Sequence, residues 1–260
     1  MLQIHMIPAR KDNYFWLIQP DDQCRDAYIV DPGDARPVND HIAQHKLILK
    51  AILLTHHHHD HIDGAAELSH NFNIPIYGPQ SDLIPQVTDY LVDKDELRLG
   101  PVKARIMALP GHTLDHIAYY LQIPGVSPCL FSGDTLFAAG CGRLFDGTAA
   151  LLYRALQKIA TLPDETLIYA GHEYTLANIR FALAIEPGNT DLIARAALET
   201  EKRDRGIATL PTQLGLEKRT NPFLRCHLKS VRDSVARLSG KKLVSDTDVF
   251  TNLRLIKDSF

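Results

Sequence analysis

The chain has no apolar run near the roughly 18 residues a membrane helix needs, so no membrane span is expected. Its N-terminus, Met-Leu-Gln-Ile-His-Met-Ile-Pro, lacks a basic stretch followed by a continuous apolar one, and no secretory signal is expected. The four cysteines (Cys24, Cys129, Cys141, Cys226) are far apart with no C-x-x-C pair, which argues against disulfides and thiolate metal sites and for free thiols in the cytoplasm. Neither sign of charge dominates: 28 Lys and Arg face 31 Asp and Glu, for a net charge of −3. A nucleic-acid partner, which would call for a basic excess, is therefore not expected. Internal repeats and low-complexity tracts are also missing. What remains is a globular composition, 45% hydrophobic, over 260 residues, enough for one large domain or two ordinary ones.

Against that background one segment is dense in chemistry. Residues 55–61 read Thr-His-His-His-His-Asp-His, directly after the apolar run Ala51-Ile-Leu-Leu54. A purification tag is terminal and longer, whereas this cluster is internal and follows a strand-like segment. His56-x-His58 followed by Asp60-His61 mixes imidazole with carboxylate, the ligand set that zinc and similar borderline ions accept. The cluster is dense enough to serve two ions. His57 and His59 alternate with the ligands and, in an extended stretch, point to the other side.

Short apolar runs bounded by Gly and Pro read as buried strands: Ala27–Val30, Ala51–Leu54, Val102–Leu109, Cys129–Phe131 and Thr166–Ala170. Each leads into a polar residue, giving in order Asp31, the histidine cluster, His112, Asp134 and His172. Strand ends are where loops converge on a site. Between them, Ala65–Phe72 and Ala149–Ala160 have helical periodicity, the second behind a candidate N-cap at Thr148. From Glu173 onward strand patterns fade. Helices are expected over Tyr174–Ile185, Asp191–Arg205 and Thr247–Phe260, the last opened by a Ser245-x-x-Asp248 capping box. The expected division is a metal-binding domain over 1–173 and a helical substrate-binding domain over 174–260.

The order Thr-His-x-His-x-Asp-His, Pro-Gly-His112-Thr, Gly-Asp134-Thr and Gly-His172-Glu resembles the metallo-β-lactamase superfamily. That resemblance implies an α+β fold: an αββα sandwich, here followed by a smaller all-helical C-terminal domain. Asp31-Pro-Gly-Asp34, Ala139-Gly-Cys-Gly-Arg143-Leu-Phe-Asp-Gly147-Thr, Gly171-His-Glu-Tyr174-Thr, Thr220-Asn-Pro-Phe223-Leu-Arg and Arg254-x-x-Lys257-Asp-x-Phe260 are similar to the glyoxalase II, or hydroxyacylglutathione hydrolase, family. The resemblance implies two divalent ions per chain, zinc first, with iron or manganese admitted by the same donors. It assigns His56, His58, His112 and Asp134 to one ion and Asp60, His61, His172 and Asp134 to the other, with Asp134 bridging. Asp134 and Asp60 would then act catalytically through the metals, and Asp31 by orienting a ligand. It further implies Arg143, Tyr174, Arg254 and Lys257 as glutathione contacts.

The activity implied is hydrolysis of S-(2-hydroxyacyl)glutathione, typically S-D-lactoylglutathione, by a metal-bridging hydroxide, in methylglyoxal detoxification. The partner is then a small-molecule thioester, and a monomer is expected. Two alternatives stand beside it: a mononuclear iron persulfide dioxygenase of the same superfamily, and a non-catalytic metal- or glutathione-binding protein. A β-lactamase is a weaker rival, given the missing signal and the extra domain. Four positions depart from the family pattern: Arg143 for Lys, Phe145 for Tyr, and Asp63 and Asp115 for Gly.

Overall fold

Branched apolar residues punctuated by Gly and Pro build the strands of the N-terminal half. The computed structural model describes residues 1–260 and divides into two compact units, the first comprising Met1–Ala108 and Asp115–Gly133. In it run β1 (Gln3–Ala9), β2 (Asn13–Gln19), β3 (Asp26–Val30), α1 (Ala35–His45), β4 (Ile48–Leu53), α2 (His59–Ile62), α3 (Ala65–Phe72), β5 (Ile76–Pro79) and β6 (Asp89–Leu91). Strands β1 to β6 form one sheet in chain order, antiparallel from β1 to β3 and parallel from β3 to β6. Next come β7 (Glu96–Leu99), β8 (Val102–Ala108), β9 (Ile117–Leu121) and β10 (Cys129–Gly133), an antiparallel meander.

Helices α1 and α3 lay Val38, Ile42 and Leu68 against Ile29, Ile52 and Leu54 of the sheet. Each such burial is worth about 1.5–3 kcal/mol. The meander joins the end of β4 through hydrogen bonds as well as packing: the Tyr119 hydroxyl donates to Leu54 O at 2.8 Å and Ile117 N to Thr55 O at 2.9 Å. These bonds pin the backbone at the point where the histidine cluster begins.

The second unit comprises Leu109–Leu114 and Asp134–Phe260. It contains β11 (Leu136–Phe137), β12 (Gly140–Cys141), α4 (Ala149–Ala160), β13 (Leu167–Ala170), α5 (Thr175–Ile185), α6 (Thr190–Asp204), β14 (Thr212–Gln213), α7 (Leu214–Thr220), a 3-10 turn over Pro222–Leu224, α8 (Lys229–Ser239) and α9 (Asp246–Asp258). Thr148 caps α4 by accepting from Leu151 N, and the Ser245–Asp248 capping box opens α9. After residue 173 the only strand is β14, paired with β13. No helix is long and apolar enough to cross a membrane.

Sequence periodicity missed several elements for physical reasons. β2 is buried at all seven positions and shows no alternation. α1 is polar enough that its apolar stripe is thin, with only Ala35, Val38 and Ile42 buried. The histidine cluster is not extended throughout: α2 begins at His59, so Asp60 and His61 sit on a helical turn.

Candidate metal centre

In the first unit the loop that carries the candidate ligands leaves β4 and is held by Asp31, which directly follows β3. Asp31 is 4% exposed with φ 50°, a left-handed backbone that aspartate tolerates better than most side chains. Its carboxylate accepts from Thr55 N at 2.8 Å, Thr55 Oγ1 at 2.7 Å and His61 Nδ1 at 3.0 Å. Thr55 gives its proton to Asp31, so its oxygen receives the Nδ1–H of His56, 2.9 Å away. One buried carboxylate thus sets the tautomer of two histidines, leaving Nε2 of His56 and His61 with the lone pair. Gly33 makes this packing possible, since a Cβ there would lie 1.8 Å from Asp60 O. Asn13 Nδ2 donates to Asp60 Oδ2 at 3.0 Å and orients that carboxylate.

In the second unit His112 follows β8 in the chain and Asp134 follows β10, while His172 follows β13. His112 Nδ1 lies 2.7 Å from Arg143 O, and a carbonyl can only accept, so Nε2 keeps the lone pair. Both His112 Nε2, at 3.6 Å, and His172 Nε2, at 3.5 Å, face the same oxygen, Asp134 Oδ2. Gly142 admits this closeness: a Cβ would lie 2.1 Å from Asp134 O and 2.8 Å from His112 Nδ1.

These separations fit a metal. Donors held at about 2.0–2.1 Å around a tetrahedral ion lie about 3.3–3.4 Å from one another. The His112–Asp134 and His172–Asp134 pairs have that spacing, as do His61 Nε2 and Asp60 Oδ2 at 3.5 Å and His56 Nε2 and His58 Nδ1 at 3.1 Å. Most are too long for a good hydrogen bond. His56, His61 and His112 each give the other ring nitrogen a fixed acceptor, the pattern of metal-binding imidazoles.

His57 and His59 have other partners. His57 Nδ1 meets Asp115 at 2.9 Å, and His59 Nδ1 meets Asp63 at 3.1 Å with its side chain exposed. The two aspartates that replace Gly in the family pattern therefore each pair with a histidine outside the ligand set. Asp63 also takes Arg10 at 2.9 Å. Motif reading alone finds no role for these aspartates, because each partnership depends on loop packing.

Around the second-unit ligands, Arg143, Phe145 and Tyr174 are exposed. Tyr174 stacks on His172 with ring centroids 4.7 Å apart, and Phe145 meets His112 edge-on at 5.1 Å. Lys257 is half-buried over the Phe181 ring and donates to Ala177 O at 3.3 Å. Arg254 is 3% exposed, a burial that the sequence did not signal. It donates to Cys141 O at 3.1 Å and to Gly142 O at 3.5 Å, and pairs with Asp258 at 2.9 Å. Its fork thus grips the backbone just before Arg143. Cys141 is buried, and burial pushes its thiol up to about 11, so it stays protonated and is no nucleophile at neutral pH.

A model of the metallo-beta-lactamase superfamily matches residues 11–172, and one of the hydroxyacylglutathione hydrolase C-terminus matches residues 173–260. The hydroxyacylglutathione hydrolase of Pseudomonas savastanoi pv. phaseolicola is 47% identical, over 100% of both chains. That of Vibrio cholerae serotype O1 is 48% identical, again over 100% of both. Among solved structures, ETHE1 from Myxococcus xanthus superposes with a TM-score of 0.66 at 25% identity, covering 97% of this chain and 90% of that one. The fold is accordingly the α+β metallo-β-lactamase sandwich with a helical C-terminal region.

Proposed function

The chain belongs to the hydroxyacylglutathione hydrolases of the metallo-β-lactamase superfamily, and from that membership we propose its reaction, its ligands and its substrate contacts. It is a thioester hydrolase that cleaves S-(2-hydroxyacyl)glutathione to the 2-hydroxy acid and glutathione. The observation that carries this is the end-to-end identity to enzymes of that name, including the C-terminal region. The same match disfavours a mononuclear iron persulfide dioxygenase and a non-catalytic binding protein.

The ligand set supported by the donor geometry within each unit is His56, His58, His112 and Asp134 for one divalent ion, and Asp60, His61, His172 and Asp134 for a second. Zinc is the first choice. Such ions, when bound, make a shared water acidic near neutral pH and favour charge on a carbonyl oxygen under attack. The protein's own part is orientation: Asp31 and Thr55 hold His56 and His61, Asn13 holds Asp60, and the Arg143 carbonyl holds His112. The leaving group is a thiol with pKa about 8.5, which departs as a thiolate without a dedicated acid. Arg143, Tyr174 and Lys257 would receive the tripeptide carboxylates and amide groups. Arg254, with its donors taken by Asp258 and by the Cys141 and Gly142 carbonyls, would act by fixing the end of β12 just before Arg143. The working division remains a metal-binding region over 1–173 and a substrate-binding region over 174–260. We place the enzyme in the cytoplasm as a monomer, in methylglyoxal detoxification.

Purified protein should hydrolyse S-D-lactoylglutathione, lose that activity on chelation and regain it with divalent metal. Bound metal without thioester turnover would remove the substrate assignment and leave the metal site. A pH dependence should accompany the activity. Burial first, then Arg254 and Arg180, push the Lys257 ammonium down to about 8, with Arg143 adding to them and Cys141 opposing. The cation is present below that pH and lost above it, so kcat/KM for the anionic thioester should fall as pH rises through about 8. Lys257→Arg should flatten that limb, and Lys257→Ala should chiefly raise KM. An unchanged KM in Lys257→Ala would return Lys257 to a packing role.

A further inference from the structure

The protein carries a second histidine cluster, outside the ligand set above. His41 and His45 lie four residues apart on α1 and so share a face. His5, on the edge strand β1, completes the group. One ring nitrogen from each lies within 4.8 Å of the other two. The His41 and His45 rings stack at 4.2 Å, and His5 meets them edge-on at 5.1 and 5.5 Å.

Two further observations point to a ligand. His41 Nε2 is buried and meets no hydrogen-bonding group of the protein, which is costly for a polar atom. His5 has an ordered second partner: Gln19 Nε2 donates to Cys24 O at 2.6 Å, which turns Gln19 Oε1 towards His5 Nε2 at 3.1 Å. His5 Nε2 therefore donates, and Nδ1 keeps a lone pair. This is the arrangement by which an outer hydrogen bond sets a ligating imidazole. Burial, with His45 and His5 close by, also pushes His41 down to about 4, so the ring is uncharged at neutral pH.

We propose that His5, His41 and His45 form an accessory site for a borderline divalent ion, such as nickel, copper or zinc, that clamps the edge strand β1 to α1. Three imidazoles with no carboxylate suit those ions and not magnesium or manganese, which favour oxygen ligands. Closing from 4.8 Å to the spacing of a bound ion requires movement of about 1.4 Å, and His45 is exposed and able to supply it. The site is independent of the hydrolase reading, and it would add an ion to any count of metal per chain.

The test compares metal-loaded wild-type protein with His45→Gln and with His41→Gln/His45→Gln, each equilibrated with buffered nickel and then with magnesium. Wild type should hold about one more nickel per chain than the double variant, whatever the catalytic centre holds, with no difference in magnesium. Nickel should also raise the Tm of wild type more than that of the double variant, because the extra ion binds the native fold. Thioester hydrolysis should be the same in all three proteins. Equal nickel content and equal Tm shifts in wild type and double variant would overturn the proposal. The single variant changes only an exposed side chain, so misfolding cannot mimic the loss.

Discussion

The Asp134→Asn variant is expected to lose about 10³-fold or more in kcat/KM, the scale of several kcal/mol supplied by metal chemistry. Asp134 is 7% exposed, and its Oδ2 is the atom faced by both His112 Nε2 and His172 Nε2. Asparagine has nearly the same shape, so packing should survive while one negative charge disappears from the proposed ligand set. On the proposed assignment of Asp134 to both ions, paired metal binding should fail before folding does. Metal content and Tm measured on one sample separate the two effects. Retention of two ions at unchanged affinity would break the bridging assignment, even if activity fell.

The second large effect is on stability. Glu217 is fully buried and accepts from Arg195, from Thr212 Oγ1 at 2.7 Å, from Asn221 Nδ2 at 3.0 Å and from Ala139 N at 2.8 Å. Arg195 is 2% exposed and also reaches Thr220 Oγ1 and Thr212 Oγ1. Removing one partner of a buried pair leaves a desolvated charge, which costs about 3–5 kcal/mol. Glu217→Ala should therefore lower Tm by roughly 6–20 °C in a chain of this size. The loss should also reach the site, because Ala139, at φ 56°, shapes the turn between β11 and β12 that leads to Arg143. The paired replacement Arg195→Met/Glu217→Leu should recover part of the Tm, since no unpaired charge remains. A drop below about one degree in Glu217→Ala would show that the pair adds nothing to stability.

Both residues show the limit of motif reading. Asp134 is legible because a Gly-Asp-Thr after a strand, downstream of a histidine cluster, points to metal ligation. Glu217 and Arg195 lie 22 positions apart on surface-like helical patterns, and only packing makes them partners. Arg254 is similar: its helical stripe is legible, but its burial against Cys141 and Gly142 depends on contacts 113 and 112 positions away.

The sequence by itself determined which residues could ligate metal, because imidazole and carboxylate at strand ends are chemical facts that survive without coordinates. It also determined helices α3 and α4 and the cap of α9, since those depend on neighbours within a few residues. Only the tertiary structure decided how each ligand is held. The Asp31–Thr55–His56 relay, the carbonyl behind His112, the partners of Asp63 and Asp115 and the meeting of His5 with α1 all depend on how the folded chain packs. Tautomer, burial and pairing are set by what the fold brings within about 3 Å, and no local pattern records that.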